Sequence, residues 1–299
     1  MPTISEAITE ASARLEHSAV AEPRRTAGVL LCHVLGIERT RLLTQSNESI
    51  SEANSELFLR LVGRRAAGEP LQYITGHQEF YGLDFIVTPD VLIPRPETEF
   101  LVERVLKLIE ESKEASPLIV DVGTGSGCIA VSVAVHARNA RVLATDVSPS
   151  SLDIAMKNAA KHGVRDRIEF LAGDLLAPLA GRDLEGAIDI LASNPPYVNA
   201  RSVDQLQPEV RDWEPHAALL GGPEGLDFYG RLFEDAAGYL KPDGFMVIEI
   251  GYDQFAAIEK LSAECSWEIV DVTRDLQDIP RTLTLRIMSE NTAALRLSR

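Results

Sequence analysis

Residues 118–127, Leu-Ile-Val-Asp-Val-Gly-Thr-Gly-Ser-Gly, constrain the fold of this chain more than any other stretch. Leu118–Val122 is a short apolar run of the kind that forms a strand buried on both faces. The turn Gly123-Thr124-Gly125-Ser126-Gly127 comes next, and the small apolar residues 128–135 then read as a helix. Strand, tight turn and helix together open a parallel α/β unit. Glycines let the backbone turn sharply and approach a ligand with no Cβ in the way, as nucleotide-type cofactors require. A dinucleotide fingerprint wants a further glycine where Cys128 stands, so the NAD pattern is broken.

The neighbouring segments extend this unit. Arg141–Asp146 reads as a second strand, and its terminal acid lies a little over twenty residues beyond Gly123, where a carboxylate suits ribose hydroxyls. A third strand at 167–171 leads to Gly173-Asp174-Leu175. Asp174 is placed to accept from an adenine amino group and Leu175 to cover a ring face. The competing reading, helix caps or solvated loop acids, weakens because both acids accompany the glycine turn. Further apolar runs at 187–193, 245–250, 267–272 and 282–288 alternate with helical patterns after residue 92. A parallel sheet covered on both faces is expected, with every motif at a strand carboxyl end, where open α/β sheets bind ligands.

Asn194-Pro195-Pro196-Tyr197 comes directly after the run 187–193 and indicates the atom acted on. A planar NH2 group, on a carboxamide or a nucleobase, shares its lone pair with the adjacent π system and is a poor nucleophile until its two N–H bonds are held. Residues preceding prolines are driven to extended geometry, and prolines have no N–H with which to close a local turn. The Asn194 side-chain oxygen and the Pro195 carbonyl are thereby left free to accept. Pro196 stiffens the arm, and Tyr197 offers a ring for a flat substrate group. The plainer alternative is that Pro-Pro ends a strand and Tyr197 fills the core.

The 299 residues are enough for two domains. A formal charge of −16, from 45 acidic and 29 basic residues, argues against clamping a bare duplex by phosphate neutralisation and fits a basic protein partner better. No direct nucleic-acid partner is expected. Cys32, Cys128 and Cys265 have no paired spacing and read as buried small residues. The six histidines are isolated, so no metal site is expected. No apolar run approaches the ~20 residues of a membrane span, and the start Met1-Pro-Thr-Ile-Ser lacks a signal region, which together predict a cytoplasmic protein with no membrane contact; a monomer is expected.

The N-terminal part has a different pattern. Ile4, Ala7, Ile8, Ala11 and Leu15 recur at helical spacing, with Ser5 a candidate cap. Residues 27–35 after Pro23, and the stretch holding Leu57, Leu61 and Val62, read as further helices. The expected organisation is a helical bundle over 1–75, a β-hairpin connector over 76–91 around Gly82, and a catalytic domain over 92–299.

Beyond the generic motifs the chain carries Glu69-Pro-Leu-Gln-Tyr-Ile-Thr-Gly76, Phe80-Tyr-Gly-Leu83, Leu92-Ile-Pro-Arg-Pro-Glu-Thr-Glu99, Glu214-Pro215, Gly225-Leu-Asp227 and Glu249-Ile-Gly251. With Asn194-Pro-Pro-Tyr197 these resemble the PrmC/HemK family of S-adenosylmethionine-dependent methyltransferases, and the resemblance runs through nearly the whole chain. It implies a seven-stranded, Rossmann-like methyltransferase domain whose last strand is antiparallel, and a small N-terminal helical bundle that helps bind the protein substrate. It implies methyl transfer from S-adenosyl-L-methionine to the N5 amide nitrogen of a glutamine in the GGQ motif of peptide chain release factors, leaving S-adenosyl-L-homocysteine. Gly123, Thr124, Gly125, Ser126, Gly127, Asp146, Asp174, Leu175 and Asn194 would hold the cofactor. Asn194, Pro195 and Tyr197 would be catalytic. Pro196 and the segment containing Arg95, Glu97 and Thr98 would lie on the substrate side, although a salt-bridged linker is the rival account of that segment. A ribosomal-protein glutamine methyltransferase and an adenine-N6 nucleic-acid methyltransferase are the alternatives.

Overall fold

The computed structural model describes residues 1–288; the last residues of the expected 92–299 domain lie outside the described residues. The described chain divides into two units, one made of Met1–His77 with Leu206–Trp213 and the other of Gln78–Gln205 with the chain from Glu214 onward.

In the first unit, α1 (Ile4–His17), α2 (Pro23–Leu35), α3 (Arg39–Thr44), α4 (Glu52–Ala66) and α5 (Leu71–Thr75) enclose one core. Helix α1 buries Ile4, Ala7, Ile8, Ala11 and Leu15, one stripe of a 3.6-residue period. Its cap is Thr3 rather than Ser5. The Thr3 hydroxyl accepts from the Glu6 N–H, and the Glu6 carboxylate returns to the Thr3 N–H at 2.8 Å, satisfying two otherwise orphaned donors. The short helices α3 and α5 escape the periodicity argument because each is too brief to show a repeat. The stretch Leu206–Trp213 completes this unit: Glu209 takes the buried Arg65 guanidinium at 2.5 Å, and the Trp213 indole nitrogen lies beside Gly68.

The chain enters the second unit one residue into the hairpin of β1 (His77–Phe80) and β2 (Leu83–Ile86), which turns at Tyr81-Gly82 with both residues at positive φ, as right-twisted two-residue hairpins of this type require. It continues through α6 (Thr98–Ser112), β3 (Leu118–Val122), α7 (Cys128–His136), β4 (Arg141–Asp146), α8 (Pro149–Lys161), β5 (Ile168–Ala172) and β6 (Ile188–Ser193). After the short α9 (Pro208–Arg211), which belongs to the first unit, come α10 (Asp227–Ala236), β7 (Leu240–Glu249), α11 (Phe255–Glu264), β8 (Trp267–Arg274) and β9 (Pro280–Ile287).

Seven strands form one sheet in the order β5-β4-β3-β6-β7-β9-β8, parallel except that β9 runs antiparallel to both its neighbours. Alternation along each strand divides the apolar side chains between two cores. Ile119, Val142, Ala144 and Val247 pack with α6 and α7, while Val120, Leu143, Met246 and Ile248 pack with Tyr229 and Phe233 of α10. Each buried Val, Leu, Ile, Met or Phe side chain among these contributes roughly 1.5–3 kcal/mol of transfer free energy. The three cysteines are half-buried and unpaired, so burial is less complete than the sequence suggested. No helix of the described residues is long and apolar enough to cross a membrane, and none of their His, Cys, Asp and Glu side chains cluster as a metal site.

The order of winding reverses between β3 and β6, which pair directly with Val122 beside Ser193. The loops leaving these two strands, 123–127 and 194–197, therefore diverge over a crevice at the carboxyl edge.

Candidate active site

A cavity at that edge is lined by Gly123, Gly125, Asp146, Asp174, Leu175 and Asn194, together with Pro196. The glycine turn leaves β3 with Gly123 and Gly125 at φ +74° and +56°, and a Cβ on either would meet no atom within 4 Å, so both present bare backbone to open space. Asp146, ending β4, accepts from the Gly125 N–H through Oδ2 and the Ser148 N–H through Oδ1, each at 2.8 Å. One lone pair of each oxygen is committed and the others remain for hydroxyl donors. Burial pushes the Asp146 carboxyl up from its ordinary pKa, against the pull of those two N–H groups. Fixed carboxylate, bare glycine turn and the apolar side chain of Val147, 65% exposed and lining the same cavity, suit a ribose bearing a flat base.

The other residues of the turn face inward. The Thr124 hydroxyl donates to Asp121 Oδ2 at 2.6 Å, the Ser126 carbonyl accepts from Asn158 Nδ2 at 2.8 Å, and Gly127 caps α7 pressed against Ala155. The Thr124 side chain, the Ser126 carbonyl and the close approach at Gly127 set the shape of the turn, and none of the three residues lines the cavity. Asp121 itself is fully buried, with its pKa raised by desolvation to about 7. Asp174 is ion-paired to Arg231 at 2.5 Å, which occupies one of its oxygens and leaves the other for an amino group. Leu175 is held at φ +46°, a conformation that costs a residue with a Cβ about 1 kcal/mol or more and concentrates at ligand sites.

On the opposite wall, Asn194 leaves β6. Its Nδ2 donates to Thr98 Oγ1 at 3.0 Å, and among the described residues neither its Oδ1 nor the Pro195 carbonyl has a hydrogen-bond donor. Pro195 is buried. Downstream the loop is clamped. The Val198 N–H donates to the Leu219 carbonyl at 2.8 Å, the Gly221 N–H to the Val198 carbonyl at 2.9 Å, and Gln254 Nε2 to the carbonyls of Tyr197 and Gly225 at 3.0 Å. The Tyr197 ring packs into the α10-side core and its hydroxyl donates to Glu249 Oε1 at 3.4 Å, so the ring lies against protein and outside the cavity wall. Desolvation pushes its phenol well up.

Arg95, Glu97 and Thr98 do not line the cavity either. Arg95 donates to Glu214 Oε1 at 2.6 Å, and the Ile93 N–H reaches the other oxygen at 3.3 Å, the arrangement of a pinned linker. Glu97 stands at the N-cap position of α6 with no side-chain capping hydrogen bond, while Thr98 is buried and bonded to Asn194. Sequence reasoning missed the apolar lining of Val91, Leu92, Ala217, Ala218 and Phe228. Only adjacency pointed to it: Phe228 comes just after Gly225-Leu-Asp227, and Leu92 opens the segment with Arg95.

Asp146→Ala is expected to weaken S-adenosylmethionine binding by about 2 kcal/mol, roughly thirtyfold, for loss of charge-assisted hydrogen bonds, with NAD failing to compete. Titration calorimetry showing wild-type affinity would remove Asp146 from the site.

A family model described as the PrmC N-terminal domain matches residues 6–76, and one described as the methyltransferase small domain matches residues 97–208. The release factor glutamine methyltransferase of Moorella thermoacetica is 47% identical over 260 residues, covering 87% of this chain and 89% of that protein. That of Nitratidesulfovibrio vulgaris is 41% identical over 287 residues, covering 95% of each. The solved N-terminal domain of human METTL16 superposes with a TM-score of 0.52 at 18% identity, over 82% of this chain and 86% of that one, and so shares the fold. Matched by both family models and by these relatives along nearly its whole length, the chain belongs to the release factor glutamine methyltransferase family.

Proposed function

We propose that this protein transfers a methyl group from S-adenosyl-L-methionine to the N5 side-chain nitrogen of a glutamine in peptide chain release factors. The observation that carries this reading is Asn194, whose NH2 is tied back to Thr98 while the residue lines the same cavity as Gly123, Gly125 and Asp146. Bound there, the cofactor supplies an electrophilic methyl group on a sulfonium. Asp146 holds the ribose, and the bare turn at Gly123 and Gly125 lets the backbone come close. Asn194 Oδ1 and the Pro195 carbonyl accept the two N–H bonds of the target amide, which turns the nitrogen lone pair out of conjugation. The rate gain comes from this positioning and from dipoles already in place. No strong base is called for, because the nitrogen becomes strongly acidic as it is alkylated and its surplus proton passes to solvent. Val91, Leu92 and Phe228 give the cavity an apolar lining.

The helical unit is assigned to recognition of the protein substrate. Removing residues 1–70 would strip Glu209 and Trp213 of the partners they have in that unit, so the better comparison is a short peptide carrying the acceptor glutamine against the folded factor, with the peptide the poorer substrate. The decisive experiment incubates the purified chain with labelled cofactor and a release factor and maps the label by mass. Label on a glutamine amide supports the reading, and label absent from glutamine overturns it.

A further inference from the structure

Glu249 ends β7, next to Asn194 in the parallel register that pairs Ser193 with Ile248, and it is 1% exposed. The Thr98 hydroxyl donates to Glu249 Oε2 at 2.6 Å and receives Asn194 Nδ2 at 3.0 Å. A hydroxyl has one proton, and an ionised carboxylate can only accept. With that proton spent on Glu249, Thr98 offers Asn194 a lone pair alone. Only the NH2 end of the Asn194 amide can face it, which leaves Oδ1 for the target.

We infer that Glu249, acting through Thr98, is a positioning residue that fixes which end of the Asn194 amide faces the substrate nitrogen. Were the amide reversed, its NH2 would confront the NH2 of the target, donor against donor, and the clamp would not form. This inference rests on the amide-clamp reading above.

Burial raises the Glu249 pKa to about 7. The Thr98 and Tyr197 hydroxyls and the Arg281 charge pull it down, while Glu97 pushes it up. The Cys128 thiol also feels its charge, and the Tyr229 hydroxyl donates to its backbone carbonyl. Protonated Glu249 donates to Thr98, whose own proton is then free for Asn194 Oδ1, and the amide turns. Turnover should therefore fall as pH drops through about 7.

Thr98→Val is expected to lower kcat by about 10- to 100-fold, the usual scale for removing a partner that orients a functional ligand, with S-adenosylmethionine affinity little changed. Thr98→Ser should recover most of the loss. Glu249→Gln, which keeps an acceptor for Thr98 but does not ionise, should retain partial activity and lose the acid limb of the profile. Thr98→Val turning over within twofold of wild type would overturn the relay, even with Asn194→Ala inactive. If Thr98→Val does not fold, the pH profile decides: an acid limb unchanged in Glu249→Gln overturns the relay, and its disappearance supports it. An Asn194→Ala protein as active as wild type would remove the underlying clamp, and the relay with it.

Discussion

Asn194→Ala should lower turnover on a release-factor glutamine by on the order of 10² to 10³, the scale for loss of one preorganised polar group, while leaving cofactor affinity nearly unchanged. The two prolines keep the arm extended, so the substitution removes the side-chain acceptor without collapsing the loop. It also leaves the buried Thr98 hydroxyl without the Asn194 donor, a cost in stability that a melting curve would register separately. Asn194→Asp should fall between wild type and alanine. It keeps an oxygen for the target, but Thr98 then faces two carboxylates with one proton. Single-turnover kinetics with saturating cofactor is the measurement, and an alanine variant reacting at the wild-type rate would reduce Asn194 to the end of a strand.

Gly225→Ala should be nearly as damaging although residue 225 does not line the cavity. Gly225 sits at φ +74°, and a Cβ there would lie 2.3 Å from the Tyr197 carbonyl oxygen and 2.7 Å from Gln254 Nε2. Both are parts of the clamp that fixes the loop after Pro196, so relief must come from moving the loop. A misplacement of about 1 Å at a positioning group can cost on the order of 10² in rate. Overpacking a tight site adds a destabilisation of about 1–3 kcal/mol. Turnover down a hundredfold with a modestly lower Tm is the expected pair of results. Full activity in a folded Gly225→Ala protein would mean that the clamp does not set the loop.

The middle of the sheet was legible because its strands are buried on both faces and end in punctuation. Leu118–Val122 and Arg141–Asp146 occupy the residues read from their apolar runs, and the seven strands with an antiparallel β9 agree with the resemblance. What stayed hidden depends on side-chain direction. In Gly123-Thr-Gly-Ser-Gly127 a sequence cannot say that Thr124 turns in to Asp121 while Gly125 faces out, because every residue of a tight turn looks equally close to a ligand. Tyr197, with its large ring, read as a substrate platform and packs against the core instead. Glu249 carried only family likeness until the register of β6 and β7 set it beside Asn194. The assignment of Leu206–Trp213 had no local signal, since Glu209 and Trp213 find their partners far back in the chain.

That last segment bears on how the protein is made. Synthesis runs from the N-terminus, and domains commonly fold as they emerge. Here the helical unit cannot be completed when residue 77 leaves the ribosome, because Arg65 still lacks Glu209 and the space beside Gly68 still lacks Trp213. The glycine turn, Asp146 and Asn194 are all translated first. A nascent chain can thus hold the glycine turn, Asp146 and Asn194 while its helical unit is unfinished, whereas Ala217, Ala218 and Phe228 of the same cavity and strands β7 to β9 are made only after the last segment of that unit.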